Sequence, residues 1–321
     1  MRVGYLIALI VSVVLIVALA RSQARTPGQL ARVVIGPPND GQLTALLGAV
    51  QQWQQGYRRV DAVIHADHTF SSVPDTKLHQ IFADLSANHL TLELEAGAVK
   101  EWSAEGVHTF AIESPIWERL LRLGAPLTSI AMDEPLIASR VMLHKPDTFA
   151  VEQTAQFVAL VRRNFPNLLV GDIEPYPAIS LVDQLRWLDA LNARLKSLGV
   201  RGLDFYRIDP DWNAFPSQRG SWHDVATLAN ACRGRGVRFS LIYWASPAPA
   251  EVKSGTANRD TWHEELLAEA AGFKAAGGRA DQIVVESWIG LPDRALPDRD
   301  PATFAGSLEA LLATLKVPAS Q

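Results

Sequence analysis

Carboxylates and aromatic rings recur in six short segments of this chain: His65-Ala66-Asp67-His68, Asp133-Glu134-Pro135, Asp172-Ile173-Glu174-Pro175-Tyr176, Arg207-Ile208-Asp209-Pro210-Asp211-Trp212, Tyr243-Trp244 and Glu286-Ser287-Trp288. Several of the acids close apolar runs. Asp133 and Glu134 follow Ser129-Ile130-Ala131-Met132, and Glu286 follows Ile283-Val284-Val285. Asp172 and Glu174 stand two apart, the spacing that puts both on one face of a strand. An acid in an apolar setting is costly unless it is matched, so such positions are kept for chemistry or for a partner. The reaction that calls for this set is cleavage of a glycosidic bond. One carboxylic acid protonates the leaving oxygen, and a second attacks or activates water. Other carboxylates accept hydrogen bonds from sugar hydroxyls, and flat indoles pack on apolar ring faces. Of the nine tryptophans, Trp102, Trp212, Trp244 and Trp288 fall just beyond predicted strands, whereas Trp53, Trp117 and Trp187 lie in helical patterns and read as packing.

The elements that must position these groups alternate between short β-rich runs and longer amphipathic stretches, eight times over. The runs predict strands at Arg32–Gly36, Ala62–His65, Leu90–Leu94, Leu127–Met132, Leu168–Asp172, Gly202–Ile208, Arg238–Tyr243 and Gln282–Glu286. Helices are predicted between and after them, near 42–57, 77–87, 115–123, 148–164, 181–198, 222–233, 259–276 and 301–315. Strands alternating with helices of this length imply parallel βαβ units. Eight units match a closed α/β barrel, the (β/α)8 TIM fold, as a single domain over 30–317. A doubly wound sheet would show a glycine-rich phosphate turn after its first strand, where this chain has Gly36-Pro37-Pro38-Asn39. In such a barrel the functional groups gather at the C-terminal ends of the strands.

Composition sets outer bounds. A net charge of −4 with no basic run argues against a nucleic-acid partner. The lone Cys232 sits in a helical pattern and reads as packing, and one cysteine forms no internal disulfide. At the N-terminus, Arg2 precedes the uncharged run Val3 to Ala20, with small residues at Ala18-Leu19-Ala20 and Ser22-Gln23-Ala24. This pattern predicts that 1–25 is a secretory signal or an uncleaved anchor. The barrel is then expected outside the cytoplasm, in the periplasm, in the medium or tethered to the outer face of the inner membrane. Its partner is expected to be a carbohydrate, with no cofactor and no membrane contact beyond the anchor.

The layout, with Asp133-Glu134-Pro135 ending strand four, resembles the clan A (β/α)8 glycoside hydrolases, in which an Asn-Glu-Pro at that place supplies the acid/base glutamate. The resemblance implies Glu134 as general acid/base and Asp133 in the place of the sugar-contacting asparagine. The chain departs from the pattern at strand seven, where the clan has its nucleophile and this sequence has Tyr243-Trp244. The chain is also similar to exported bacterial proteins with a Glu/Gln-Ser-Trp near the end, here Glu286-Ser287-Trp288. The second carboxylate is expected to be Glu286 or Glu174. Asp133, Asp172, Asp209, Arg207, Tyr243, Trp244, Trp288, Trp212 and His68 are expected to bind substrate. Adjacent strands lie about 5 Å apart, so acids on strands four and five would be close. Strands four and eight face one another across the barrel. Two other readings stay open: a metal-dependent hydrolase using His65, Asp67 and His68, and a glycan-binding barrel whose acids only accept hydrogen bonds.

Overall fold

Val33-Val34-Ile35, Val63-Ile64 and Ile283-Val284-Val285 are the β-branched runs expected of strands buried on both faces. In a computed structural model, which describes residues 31–318, they are central to β1 (Arg32–Gly36), β2 (Ala62–Ala66) and β8 (Gln282–Glu286). The others are β3 (Thr91–Ala96), β4 (Leu127–Asp133), β5 (Leu169–Tyr176), β6 (Phe205–Pro210) and β7 (Arg238–Tyr243). All neighbours pair in parallel, and β8 returns to β1 to close the barrel in sequence order. The principal helices are α1 (Asp40–Gly48), α2 (Asp75–Ala87), α3 (Gly106–Arg122), α4 (Asp147–Asn164), α5 (Leu181–Ser197), α6 (Trp222–Gly234), α7 (Arg259–Ala275) and α8 (Phe304–Thr314). The predicted signal or anchor over 1–25 lies outside the described residues. Among those described, no helix is long and apolar enough to cross a membrane.

The strand ends differ from expectation in an informative way. β3, β4, β5 and β6 all run further toward their C-termini than their apolar runs do. On β3, β4 and β6 the added inward-facing positions are the acids Glu95, Asp133 and Asp209, so hydrophobicity alone stops short of them. The first helix is shorter than expected. Trp53, fully buried, donates from Nε1 to the Leu46 carbonyl at 2.8 Å and turns the chain after α1. α3 begins well before Pro115, which it carries inside, because its face with Thr109, Glu113 and Trp117 is buried against the barrel.

Strand alternation sorts every side chain. Val34, Ala62, Ile64, Ala131, Ile173, Phe205, Ile242 and Val284 form one apolar cluster inside the barrel. Their strand neighbours, among them Leu94, Met132, Tyr206, Leu241 and Tyr243, join the larger core between sheet and helices. Residues two along from the inner set therefore also point inward: Ser129 and Asp133, Arg207 and Asp209, Gln282 and Glu286. On β3, Leu92 and Leu94 belong to the outer core, so Glu93 and Glu95 face in.

The inward polar residues meet in an enclosed layer. Arg207 and Glu93, each 0% exposed, form an ion pair at 2.6 Å. Ser129 donates to Glu93 at 2.6 Å, and Arg207 Nε donates to Ser240 Oγ at 2.9 Å. The guanidinium also lies 5.0 Å from the centroid of the Phe205 ring. That ring occupies the space a side chain on residue 171 would need, since a Cβ on Gly171 would sit 2.0 Å from it. Removing one member of a buried pair leaves an uncompensated charge. Arg207→Met should therefore cost about 3–5 kcal/mol in chemical denaturation. Combining it with Glu93→Gln should recover part of that loss, whereas strictly additive losses would show that the two groups do not act as a pair.

Candidate functional site

Above this layer, four strands deliver acids to one mouth. β3 brings Glu95, β4 brings Asp133 with Glu134 immediately after it, β6 brings Asp209 and β8 brings Glu286. Glu134 takes a left-handed backbone, φ 56° and ψ 47°, which is uncommon outside glycine. Its N–H donates to the Ile173 carbonyl at 3.1 Å and its carbonyl accepts from Ala138 at 3.0 Å, which fixes the turn.

The electrostatics are those of crowded, half-dry carboxyls. Burial, and then the neighbouring Asp133, push Glu134 from an ordinary 4.5 up to about 7. Burial raises Glu286 to about 7 as well, against the pull of Arg207. Glu95 is held well above the usual range by burial and then by Glu286 and Asp133. Asp209 is held there by burial and then by Glu134 and Glu286. One cation stands among them: Lys100, from the loop after β3, bridges to Asp133 at 2.6 Å.

Not every expected residue reaches the mouth. Asp172 and Glu174 do share a strand face, but it is the face turned toward the helices. Asp172 is 0% exposed and accepts the Trp187 indole N–H at 2.6 Å. Glu174, equally enclosed, accepts the N–H groups of Leu136 at 2.6 Å and Ile137 at 3.2 Å, so it caps the short turn after Glu134. Neither can reach a substrate, and Glu174 is removed as a second carboxylate. Arg207 is sealed into the layer below. Tyr243 faces outward in the core beside Glu269. Trp212 joins two loops, its N–H donating to the Ala245 carbonyl at 3.0 Å.

The other tryptophans are better placed. Trp244 faces in, donates to the Pro210 carbonyl at 3.0 Å, and lies against Trp288 with ring centroids 4.6 Å apart. Trp288 is 52% exposed and two residues from Glu286. The candidate metal ligands have separate partners. His65 pairs with Asp40 at 2.7 Å, Asp67 accepts from Trp117 at 2.7 Å, and His68 is exposed. Among the described residues, no three His, Cys, Asp or Glu side chains are grouped to hold a metal ion.

Sequence reasoning misses Glu95 and the acids that hold the loops. The signal for Glu95 is the alternation Thr91-Leu92-Glu93-Leu94-Glu95, which continues the strand past its apolar residues. Glu113 on α3 accepts the Gly97 N–H at 2.7 Å, and burial, then Asp67, push it up to about 9. Glu269 on α7 accepts the N–H groups of Trp244 and Ala245, both at 3.2 Å. The gripped loops carry strained residues: Ala98, Glu134, Ala245 and Ser246 all have left-handed φ between 52° and 72°. Such conformations persist where surrounding contacts fix them.

No protein-family model matches the chain, and no curated protein does. Solved structures do match in fold. A thermostable mutant of a xylanase from Cellvibrio japonicus aligns with TM-score 0.56 and 12% identity, over 89% of this chain and 98% of its own. A glucosidase from Croceicoccus marinus aligns with TM-score 0.52 and 14% identity, over 89% and 68%. A D-psicose 3-epimerase aligns with TM-score 0.50 and 12% identity, over 91% and 100%. At these identities the likeness is one of fold, and it joins this chain to a range of barrel enzymes.

A carboxyl raised on folding binds protons more tightly in the native state, so its contribution to stability falls as pH rises from its unfolded value through its folded one. For Glu134 and Glu286 that window runs from 4.5 to about 7. Glu134→Gln should therefore gain in thermal midpoint relative to the parent protein as pH rises through this window. A difference independent of pH would contradict the raised proton affinity.

Proposed function

We propose that this protein cleaves glycosidic bonds at the C-terminal mouth of its barrel, with Glu134 as general acid/base and Glu286 as the second carboxylate. One observation carries this reading: Glu95, Asp133, Glu134, Asp209 and Glu286 converge on a single mouth, beside the Trp244–Trp288 ring pair. The xylanase and glucosidase likenesses agree with it, but the epimerase shares the same fold, so the choice rests on the carboxylates.

The two glutamates have different surroundings. Among charges Glu134 feels Asp133 most, and Lys100, which opposes it, is already bridged to that same Asp133. It keeps its proton toward neutrality and can give it to the leaving oxygen. Glu286 feels the buried Arg207 first among charges, and this favours its ionised form. An ionised carboxylate there can stabilise the developing positive sugar ring or activate water. Because β4 and β8 lie on opposite sides of the barrel, substrate would pass between the two acids. We read this opposed placement as that of an inverting enzyme, whose two carboxyls stand roughly 6.5–9.5 Å apart to seat a water. Asp209 and Asp133 are read as hydroxyl acceptors, and the exposed Trp288 as a sugar platform. The apolar Val3–Ala20 run supports a barrel working outside the cytoplasm on extracytoplasmic glycans.

The test is product release from a panel of oligosaccharides, followed by variants on any substrate that is cut. Glu134→Gln should lower kcat by about 10²–10⁴-fold with an unchanged circular dichroism spectrum. It should also remove the alkaline limb of the pH profile near 7. Binding without cleavage by the parent protein would make the barrel a glycan-binding module instead. Trp288→Ala should raise KM while largely sparing kcat, and an unchanged KM would remove the platform role.

A further inference from the structure

The mouth holds more carboxyls than two-carboxylate hydrolysis requires. Among the described residues, Glu95, Asp133, Glu134, Asp209 and Glu286 are opposed by Lys100 and Arg207, and both are already engaged. Lys100 is bound to Asp133 at 2.6 Å, and Arg207 to Glu93 at 2.6 Å. The surrounding elements add little positive charge. Asp211, next to the mouth on the β6 loop, is another acid and accepts from Ser246. Glu101 stands beside Lys100. At the end of β2, His65 is paired with Asp40. Glu269 faces the β7 end from behind.

A second observation points to a ligand. Glu286 is only 7% exposed and lies on the inward face of β8, yet its Oε2 has no hydrogen-bond partner. The buried Oδ1 of Asp209 also has none. Enclosed acceptors of this kind are expensive unless something donates to them. A neutral sugar hydroxyl can donate a hydrogen bond, but it leaves the repulsion among the acids in place. A cation offsets both costs at once.

Building on the glycosidase reading, we infer that the mouth takes a glycan bearing free ammonium groups, as in a de-N-acetylated amino sugar, in preference to a neutral one. The acids stand around the rim on four strands, and no three are grouped to hold a metal ion among the described residues. A rim of this kind suits a cation carried on a larger, ring-shaped ligand. The Trp244–Trp288 pair adjoining Glu286 offers a flat apolar face for such a ring and a π-system for its ammonium. Recognition also carries a proton signature. Glu134 and Glu286, each raised to about 7, hold protons that a bound ammonium would displace, so binding strengthens and releases protons as pH rises from about 5 to about 7.

The experiment is isothermal titration of the full barrel with glucosamine and galactosamine oligomers and with their fully N-acetylated counterparts. Titrations in two buffers of different ionisation heat count the protons released. The ammonium forms should bind at least about tenfold more tightly near pH 7, and salt should weaken them selectively. Lys100→Met, which frees Asp133 of its cation, should tighten binding of the ammonium forms several-fold more than it changes binding of the N-acetylated forms. Equal or tighter binding of the N-acetylated oligomers would overturn the inference, as would no binding of any ammonium oligomer. Product analysis on the same samples keeps the two ideas apart. Bound but uncut ammonium oligomers would uphold the charge preference and defeat hydrolysis. Cleavage of neutral glycans without that preference would do the reverse.

Discussion

Beneath the mouth, Arg207 and Glu93 share a fully enclosed layer of the barrel with Ser129 and Ser240. A guanidinium in such a place is tolerable only with a carboxylate and further acceptors to satisfy it. The pair therefore constrains its surroundings: residue 171 must be glycine-sized so that Phe205 can lie flat beneath the guanidinium. It also fixes a positive charge under the acids. Glu286 feels that charge before any other, and Glu95 feels it too. The layer thus closes the core and biases which of the acids above it is ionised.

The acids of this protein fall into two sets with different work. The inner set, Glu95, Asp133, Asp209 and Glu286, faces the barrel axis and crowds the mouth, joined by Glu134 on the turn after β4. The outer set faces the helices and holds backbone. Glu113 grips Gly97 after β3, Glu174 grips Leu136 and Ile137 after β4, and Glu269 grips Trp244 and Ala245 after β7. Each grip lies beside a left-handed residue: Ala98, Glu134, or Ala245 with Ser246. Buried carboxyls thus hold the strained turns that present the inner carboxyls and the aromatic pair. Burial raises Glu113, Glu174 and Glu269 as it raises Glu95, Glu134, Asp209 and Glu286, but Glu95, Asp133, Glu134 and Asp209 keep some exposure while the three outer acids are buried. A raised carboxyl is therefore no guide to chemistry here until its strand face is known.

The barrel was legible because eight short β-rich runs alternating with amphipathic stretches leave few other ways to bury both faces of a sheet. β7 and β8 fall where their apolar runs do. Glu134 and Glu286 were legible as acids ending apolar runs. The direction of Asp172 and Glu174 was not. Their spacing shows that they share a face, but either face of a barrel strand is buried, so the apolar pattern does not say which one points inward. Glu95 was hidden for a related reason, since its strand continues through alternating acids after the apolar signal fades.

By itself, then, the sequence determined the architecture and the chemical character of the strand ends, because both follow from local pattern and residue type. Tertiary structure decided which acids share the barrel mouth. That choice depends on barrel closure, which turns Glu95, Asp209 and Glu286 toward one axis and gives Asp172 to Trp187 and Glu174 to the turn after Glu134. These partners lie on separate elements of the fold, and no spacing along the chain records their approach.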